Sequence, residues 1–167
     1  DYEPYVEKIL QYLDEDNGGL KGAPKFPQFY IFDSMIYYYK KKGNKKFLKP
    51  VENLLNNISS RGIYDQLEGG IARYTVDEKW IIPHFEKMLY DNILYVNLLN
   101  SYLQKEKSDY LKNKLIQTLN FINSEFKSEN NLLGSAYDAD SEGIEGKYYI
   151  WKYDELENLL KDKLPIF

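Results

Sequence analysis

The sequence Pro83-His84-Phe85-Glu86-Lys87-Met88-Leu89-Tyr90-Asp91-Asn92 is the stretch of this chain that says most about its fold. Proline is favoured at the first position of a helix, and apolar residues at helical spacing continue to about residue 105. We therefore predict a helix over 83–105. Its first turn holds His84, the single histidine of the sequence. We expect this helix start and the loop before it to carry function, because functional residues concentrate in loops.

Helical periodicity continues on both sides of this stretch. Apolar residues recur every three or four positions in five further segments, which predicts helices over 3–16, 28–42, 47–60, 109–127 and 153–162. Alternating residues predict short strands at 71–76 and 147–151. The sequence thus predicts a mainly α fold of about three helical hairpins, with a short β-ribbon in the loops.

Composition excludes several classes of protein. The chain has 167 residues, a net charge of −4 and no cysteine. The length suits one domain, the charge disfavours a nucleic-acid partner, and the lack of cysteine excludes thiol chemistry and thiolate metal sites. With neither a signal peptide nor an apolar run of the ~20 residues that span a membrane, we predict a cytoplasmic protein without a membrane partner. Asp1 in place of Met suggests a fragment or a processed chain.

Three loops interrupt the helices and are rich in glycine, proline and charge. They are residues 18–28 (GGLKGAPKFPQ), residues 64–92, which end in HFEKMLYDN, and residues 136–151 (AYDADSEGIEGKYYIW). In order and spacing, these motifs closely resemble the family of thioredoxin-domain-containing proteins typified by spermatogenesis-associated protein 20 and bacterial YyaL. The resemblance covers nearly the whole chain.

The resemblance implies a fold and a class of activity. Members of that family carry a thioredoxin-like domain followed by a helical toroid similar to six-hairpin glycosidases and N-acylglucosamine 2-epimerases. The motifs of this chain match the toroid, so residues 1–167 are expected to form one partial domain, the first half of an (α/α)6 ring. The remainder of the ring, or a second copy of the chain, is then expected to cover the helices left exposed.

His84 and Glu86 are the first candidate catalytic residues. The positive potential at a helix start disfavours an imidazolium, so His84 would act as a neutral base or hydrogen-bonding group. The alternative is a histidine that only satisfies loop carbonyl groups. Glu86 and Asp91 are interpreted mainly as anchors for the loops. A second histidine at zinc-binding spacing does not follow, so we predict neither a metal site nor a cofactor.

The other candidates lie in the loops. Asp65 and Asp77 flank Arg73, whose planar guanidinium can bind a carboxylate of either the substrate or the protein. Asp138 and Asp140 form part of an incomplete calcium-loop pattern, and they are candidates for a catalytic pair, an irregular cation site or a turn-stabilising role. The proposed substrate-binding side chains are basic, amide and aromatic: Lys25, Gln66, Arg73, Tyr74, Trp80 and Tyr137.

Two functions remain open from the sequence. The first is chemistry on a sugar or a sugar-like metabolite, by paired carboxylates as in glycosidases or by a base and an acid as in sugar epimerases. In the epimerase case, a second histidine would come from the other half of the ring. The second is a non-catalytic module that docks a thioredoxin-like domain or another protein. Carboxylates that converge on a cavity favour catalysis, whereas carboxylates engaged by lysine, arginine and backbone N–H groups favour a scaffold.

Overall fold

A computed structural model of the chain describes residues 2–166, and it is mainly helical as predicted. The six α-helices are α1 (Glu3–Ile9), α2 (Phe29–Lys42), α3 (Leu48–Ser60), α4 (Leu89–Leu103), α5 (Asp109–Glu125) and α6 (Tyr153–Leu160). Short 3-10 helices follow α1 and α6, at Leu10–Tyr12 and Lys161–Ile166. Four two-residue strands lie in the loops: β1 (Lys87–Met88), β2 (Ala136–Tyr137), β3 (Asp140–Ser141) and β4 (Ile144–Glu145).

The core forms where the apolar stripes of the long helices meet. Helix α4 packs against α5 and α2, and α2 packs against α3. Phe32, Leu54, Leu55 and Leu98 are fully buried there. Burial of a side chain of this size contributes about 1.5–3 kcal/mol. The helical bundle is therefore the rigid base from which the long loops project.

The predicted start of the fourth helix at Pro83 is wrong. Residues 84–86 form neither helix nor strand, β1 follows them, and α4 begins at Leu89. Their backbone groups pair with the preceding loop and not along a helix: the His84 N–H donates to the Tyr74 carbonyl at 3.1 Å. Phe85 has a φ of 61°, which no helix accommodates. His84 therefore does not lie in the first turn of a helix, and the positive potential of a helix start gives no reason to expect a neutral imidazole there.

The predicted strands at 71–76 and 147–151 are also wrong. Ile71 and Thr75 form only isolated bridges, and residues 147–149 form a turn. The ribbons lie elsewhere: β1 pairs antiparallel with β2, and β3 with β4. The alternation of side chains could not locate these strands, because a strand of two residues is too short to show alternating polar and apolar side chains.

The first helix is shorter than the predicted 3–16 because a tight turn follows it. In this turn, the Gly18 N–H donates to the Asp14 carbonyl and the Asp14 N–H donates to the Gly19 carbonyl, each at 2.9 Å. Gly18 has a φ of 73°, and a Cβ there would lie 2.8 Å from the Leu54 Cα. Only glycine fits this approach to α3. Across residues 2–166, we find no helix with the length and apolar character needed to cross a membrane.

Candidate functional site

The three long loops are joined to one another by backbone hydrogen bonds. Lys25 in the first loop exchanges two bonds with Thr75 in the second, at 2.8 and 3.0 Å. Within the second loop, the Arg73 N–H donates to the Glu86 carbonyl at 2.8 Å. β1 then pairs with β2 of the third loop. The candidate side chains of all three loops are thus held on one connected framework.

His84 lies on this framework at the edge of a stack of aromatic rings. Its ring stacks on Tyr74 with a centroid separation of 4.7 Å, and Tyr74 stacks on Phe26 at 4.6 Å. The His84 Nδ1 lies 2.8 Å from Oε1 of Glu145, and the His84 side chain is 33% exposed. When Nδ1 carries the proton, the Nδ1–H donates a hydrogen bond to Glu145. Nε2 is then unprotonated and can accept a proton, as a general base requires.

Arg73 and Glu86 form an ion pair beside this stack, with Nη1 and Oε2 at 3.2 Å. The hydrogen bond to Glu86 raises the pKa of Arg73. Tyr90 and Asp91, at the start of α4, complete a charged cluster that lines a cavity of about 140 Å³. Burial raises the pKa of Asp91 to about 6, against the lowering effect of Tyr90 and Arg73. The cluster therefore holds a carboxyl group that titrates near neutral pH.

Asp65 is engaged by a buried lysine. Lys87 Nζ donates to Asp65 Oδ2 at 2.7 Å and to the Gly69 carbonyl at 3.0 Å, beneath the ring of Phe121. Burial alone would raise the pKa of Asp65, but the hydrogen bonds from Lys87 and from backbone amides hold it below the ordinary value. Burial lowers the pKa of Lys87. This pair joins the start of the second loop to its end.

Three of the predicted substrate-binding residues are occupied within the protein. Lys25 is buried and donates to Asp14 at 2.7 Å, and Trp80 is 0% exposed and donates from Nε1 to a backbone carbonyl at 2.8 Å. Gln66 donates to backbone carbonyls and accepts a bond of 2.7 Å from Lys114. Each of these side chains therefore stabilises a loop. Lys25 and Trp80 are buried and present no surface to a ligand, whereas Gln66 remains exposed.

Asp77 supports a turn through the backbone. Its carboxylate accepts hydrogen bonds from the N–H groups of Lys79 at 2.7 Å and of Ile82 at 2.6 Å. Burial opposes ionisation of Asp77, but these bonds lower its pKa below the ordinary value. A carboxylate held in this way is a capping group for the turn and not a free acid or base.

Tyr137, Asp138 and Asp140 lie along a separate groove of about 360 Å³. Tyr137 donates from its hydroxyl group to the Glu125 carbonyl at 2.6 Å. The Asp138 side chain accepts a bond of 3.2 Å from the Asp140 N–H, the geometry of an aspartate turn. Within residues 2–166 no group of three or more acidic or histidine side chains is arranged to hold a metal ion. Asp138 and Asp140 stay candidates in this groove, which His84 does not line.

Four residues of the site are not among the predicted catalytic or substrate-binding residues: Phe26, Tyr90, Asp91 and Glu145. Of these, only Asp91 has a predicted role, as an anchor for a loop. The sequence does hold an indication for Asp91, because it lies in the first turn of a largely apolar helix, and a buried aspartate is rare unless it has a partner. For Phe26 and Glu145 the sequence offered no signal, because loop pairing brings them to Tyr74 and His84.

The chain was compared with known proteins, and no family model matches it. Spermatogenesis-associated protein 20 of Mus musculus is 30% identical over 166 residues, which cover 93% of the chain and 21% of that protein. The Homo sapiens protein of the same name is 28% identical, with the same coverage. The chain thus spans about a fifth of the length of these relatives.

Solved structures of cellobiose 2-epimerases share the fold. The enzyme from Spirochaeta thermophila DSM 6192 superposes with a TM-score of 0.68 at 15% identity, covering 82% of the chain and 41% of that structure. The enzyme from Bacillus thermoamylovorans B4167 gives a TM-score of 0.67 at 14% identity, with coverages of 81% and 41%. At these identities the likeness concerns the fold alone. The chain is thus similar in sequence to one segment of spermatogenesis-associated protein 20 and shares the helical fold of the cellobiose 2-epimerases.

Proposed function

We propose that the chain forms part of a carbohydrate-active helical domain that acts on a sugar or a sugar-like metabolite. The observation that carries the proposal is the pairing of His84 with Glu145 at 2.8 Å on an exposed aromatic stack. Aromatic faces bind the apolar faces of sugar rings, and a histidine oriented by a carboxylate is a common general base. The sugar-epimerase type of fold supports the same function.

The chemistry assigned to His84 is proton transfer at the carbon beside a sugar carbonyl. Nε2 removes that proton, the electron pair of the broken C–H bond forms an enediolate, and a proton returned to the opposite face gives the epimer. The residue that returns the proton is expected from the part of the ring that this chain does not span, since the chain covers 41% of each epimerase structure. Glu145 acts as a positioning residue that holds the imidazole ring.

The test follows deuterium uptake from D2O at C2 of cellobiose by NMR, in the protein that carries this chain. His84→Asn should reduce exchange about 100-fold or more, the range for removal of a general base. Glu145→Gln should reduce it less and shift its pH profile. Glu129→Gln, at an exposed residue, is the control. A folded protein that binds no sugar, or unchanged exchange after His84→Asn, would refute the proposal.

A second candidate function is a rigid module that docks a thioredoxin-like domain. Its supporting observation is that Asp14, Asp65 and Asp77 are each held by a lysine or by backbone N–H groups. Carboxylates used in this way stiffen loops and are unavailable for catalysis. Titration of the chain with a thioredoxin-like domain of the same family separates the two functions. Saturable binding of that domain by a protein that catalyses no sugar exchange would favour the docking module.

A further inference from the structure

A second feature of the loop framework lies next to the His84 stack and has no role in the proton transfer proposed above. It is the cavity of about 140 Å³ between the first two loops and α4, which we call the Arg73–Asp91 cavity. Phe26, Tyr30 and Tyr90 supply aromatic surface to its wall, and Arg73 and Asp91 supply charge. Phe26 also belongs to the aromatic stack that ends at His84, so the cavity and the stack are continuous.

Asp91 gives the cavity an unused hydrogen-bond acceptor. The residue is only 7% exposed, and its Oδ2 has no hydrogen-bond partner within the described part of the chain. An unpaired carboxylate oxygen in a buried position is costly, so proteins rarely retain one without a function. Burial outweighs the favourable effects of the Tyr90 hydroxyl group and of Arg73 on the carboxylate, and Oδ2 is the oxygen left without a donor.

Arg73 gives the same cavity an unused donor. Its Nη1 is committed to Glu86 at 3.2 Å, whereas its Nε is buried and makes no hydrogen bond to any described residue. The guanidinium group offers donors in one fixed plane, so the ion pair with Glu86 also fixes the direction of the Nε–H. The cavity is therefore lined by one oriented donor and one buried acceptor.

Charge and size limit what this pair can bind. A free anion would be repelled by Asp91 and Glu86, and a free cation could not accept the hydrogen bond that Arg73 Nε offers. Neutral hydroxyl groups both donate and accept, so two of them can satisfy Arg73 and Asp91 without burying net charge. A volume of about 140 Å³ equals the share of only four or five water molecules at roughly 30 Å³ each. That space admits one edge of a single ring.

We propose that the Arg73–Asp91 cavity is a subsite for two adjacent hydroxyl groups of a cyclic polyol. One hydroxyl accepts a hydrogen bond from Arg73 Nε, and its neighbour donates to Asp91 Oδ2, while an aromatic wall residue covers the C–H face of the ring. The proposal deepens the proposed function and rests on it in taking a sugar as the ligand. The subsite itself needs no chemistry at His84.

The test measures binding by NMR titration with myo-inositol, D-glucose and the 2-, 3- and 4-deoxy analogues of glucose. myo-Inositol has adjacent hydroxyl groups but no carbonyl, so it reports on the subsite even when no exchange occurs. Removal of either hydroxyl of the bound pair should weaken binding about 10-fold or more, because both partners are charged groups. Arg73→Lys and Asp91→Asn should each weaken binding by a similar factor.

Arg61→Lys is the matched control, since Arg61 is the other arginine of the chain and bonds Asn17 and a backbone carbonyl away from the cavity. The affinity of Arg61→Lys for myo-inositol and for D-glucose should stay within twofold of the parent. Equal binding of all deoxy sugars, or unchanged affinity in folded Arg73→Lys and Asp91→Asn proteins, would overturn the subsite. His84-dependent exchange that survives such a result would leave the proposed function standing. Inositol binding that both variants weaken, in a protein without exchange, would support the subsite alone.

Discussion

Burial raises the pKa of Asp91 into a range that unfolding experiments can reach. Its pKa is about 6 in the folded protein, against an ordinary value of 3.8. The groups that set it, besides burial, are Tyr90, Arg73 and Glu86. Between about pH 4 and pH 6 the folded protein therefore binds more protons than the unfolded chain, so this group makes the free energy of unfolding fall as the pH rises.

Asp91→Asn should remove this decrease in the free energy of unfolding with rising pH. The variant should match the parent near pH 4 and exceed it in stability at pH 7, by at most about 3 kcal/mol for a shift of roughly two pKa units. Urea unfolding of both proteins at the two pH values measures the difference. Asp14, whose pKa is lowered to about 2 chiefly by its bonds to Lys25 and Asn17 against the effect of burial, acts below pH 4 in the opposite sense. Equal pH profiles for parent and variant would contradict the assignment.

Lys87 and Asp65 test the scaffold at the scale of one ion pair. Lys87→Met should lower the free energy of unfolding by about 3–5 kcal/mol, because Asp65 is left as an unpaired buried carboxylate. In Lys87→Met/Asp65→Asn, much of that loss should return, since asparagine keeps the acceptor for two backbone N–H groups at 3.0 Å. Urea unfolding of the single and double variants gives the coupling. Additive effects would mean that the pair is not coupled.

At the scale of elements, the second loop is locked to α5 through Gly70. Gly70 has a φ of 80°, and a Cβ there would lie 2.6 Å from the ring of Phe121. Gly70→Ala should therefore cost about 2–4 kcal/mol, by overpacking and by backbone strain together.

Gly43→Ala is the matched control for this substitution. Gly43 has a similar φ of 68° at the end of α2, but a Cβ there would meet no atom within 4 Å. Only the backbone term applies, so about 1 kcal/mol is expected. Thermal or urea unfolding compares the two variants. Equal losses would show that the contact with Phe121 is not what locks the loop.

The sequence predicted helices well where side-chain pattern alone decides them. The predicted helices 28–42, 47–60 and 109–127 agree with α2, α3 and α5 to within about two residues. The prediction was wrong at Pro83, because His84, Glu86 and β1 form backbone hydrogen bonds or strand pairs with distant loop segments. That pairing depends on tertiary contacts and leaves no local pattern.

The site shows the same division. His84, Arg73 and Glu86 could be selected because a lone histidine and a retained arginine stand out in a lysine-rich chain. Lys25 and Trp80 are buried. The sequence could not show this, because a basic or an aromatic residue in a loop is ordinarily expected to be exposed. The partners of His84 could not be predicted, as Glu145 lies in another loop and reaches it only through the folded framework.

At the scale of the whole molecule, the C-terminal segment presents an apolar surface. No residue of α6 is buried, and Ile150, Trp151 and Leu159 are each at least half exposed. We expect the rest of the helical ring or a second copy to cover this surface, as such patches mark interfaces. Light scattering across concentration distinguishes them. A mass that rises toward two chains would support the second copy, and a constant single-chain mass would exclude it.

A sugar-binding face of the joined loops, around His84 and the Arg73–Asp91 cavity, can be tested by residue-resolved amide NMR of the isotope-labelled protein during titration with D-glucose. We expect saturable shifts concentrated at Phe26, Tyr74, His84 and Asp91, and their loss in Arg73→Lys. An unchanged spectrum of a folded protein at high sugar concentration, or shifts confined to α6, would contradict it.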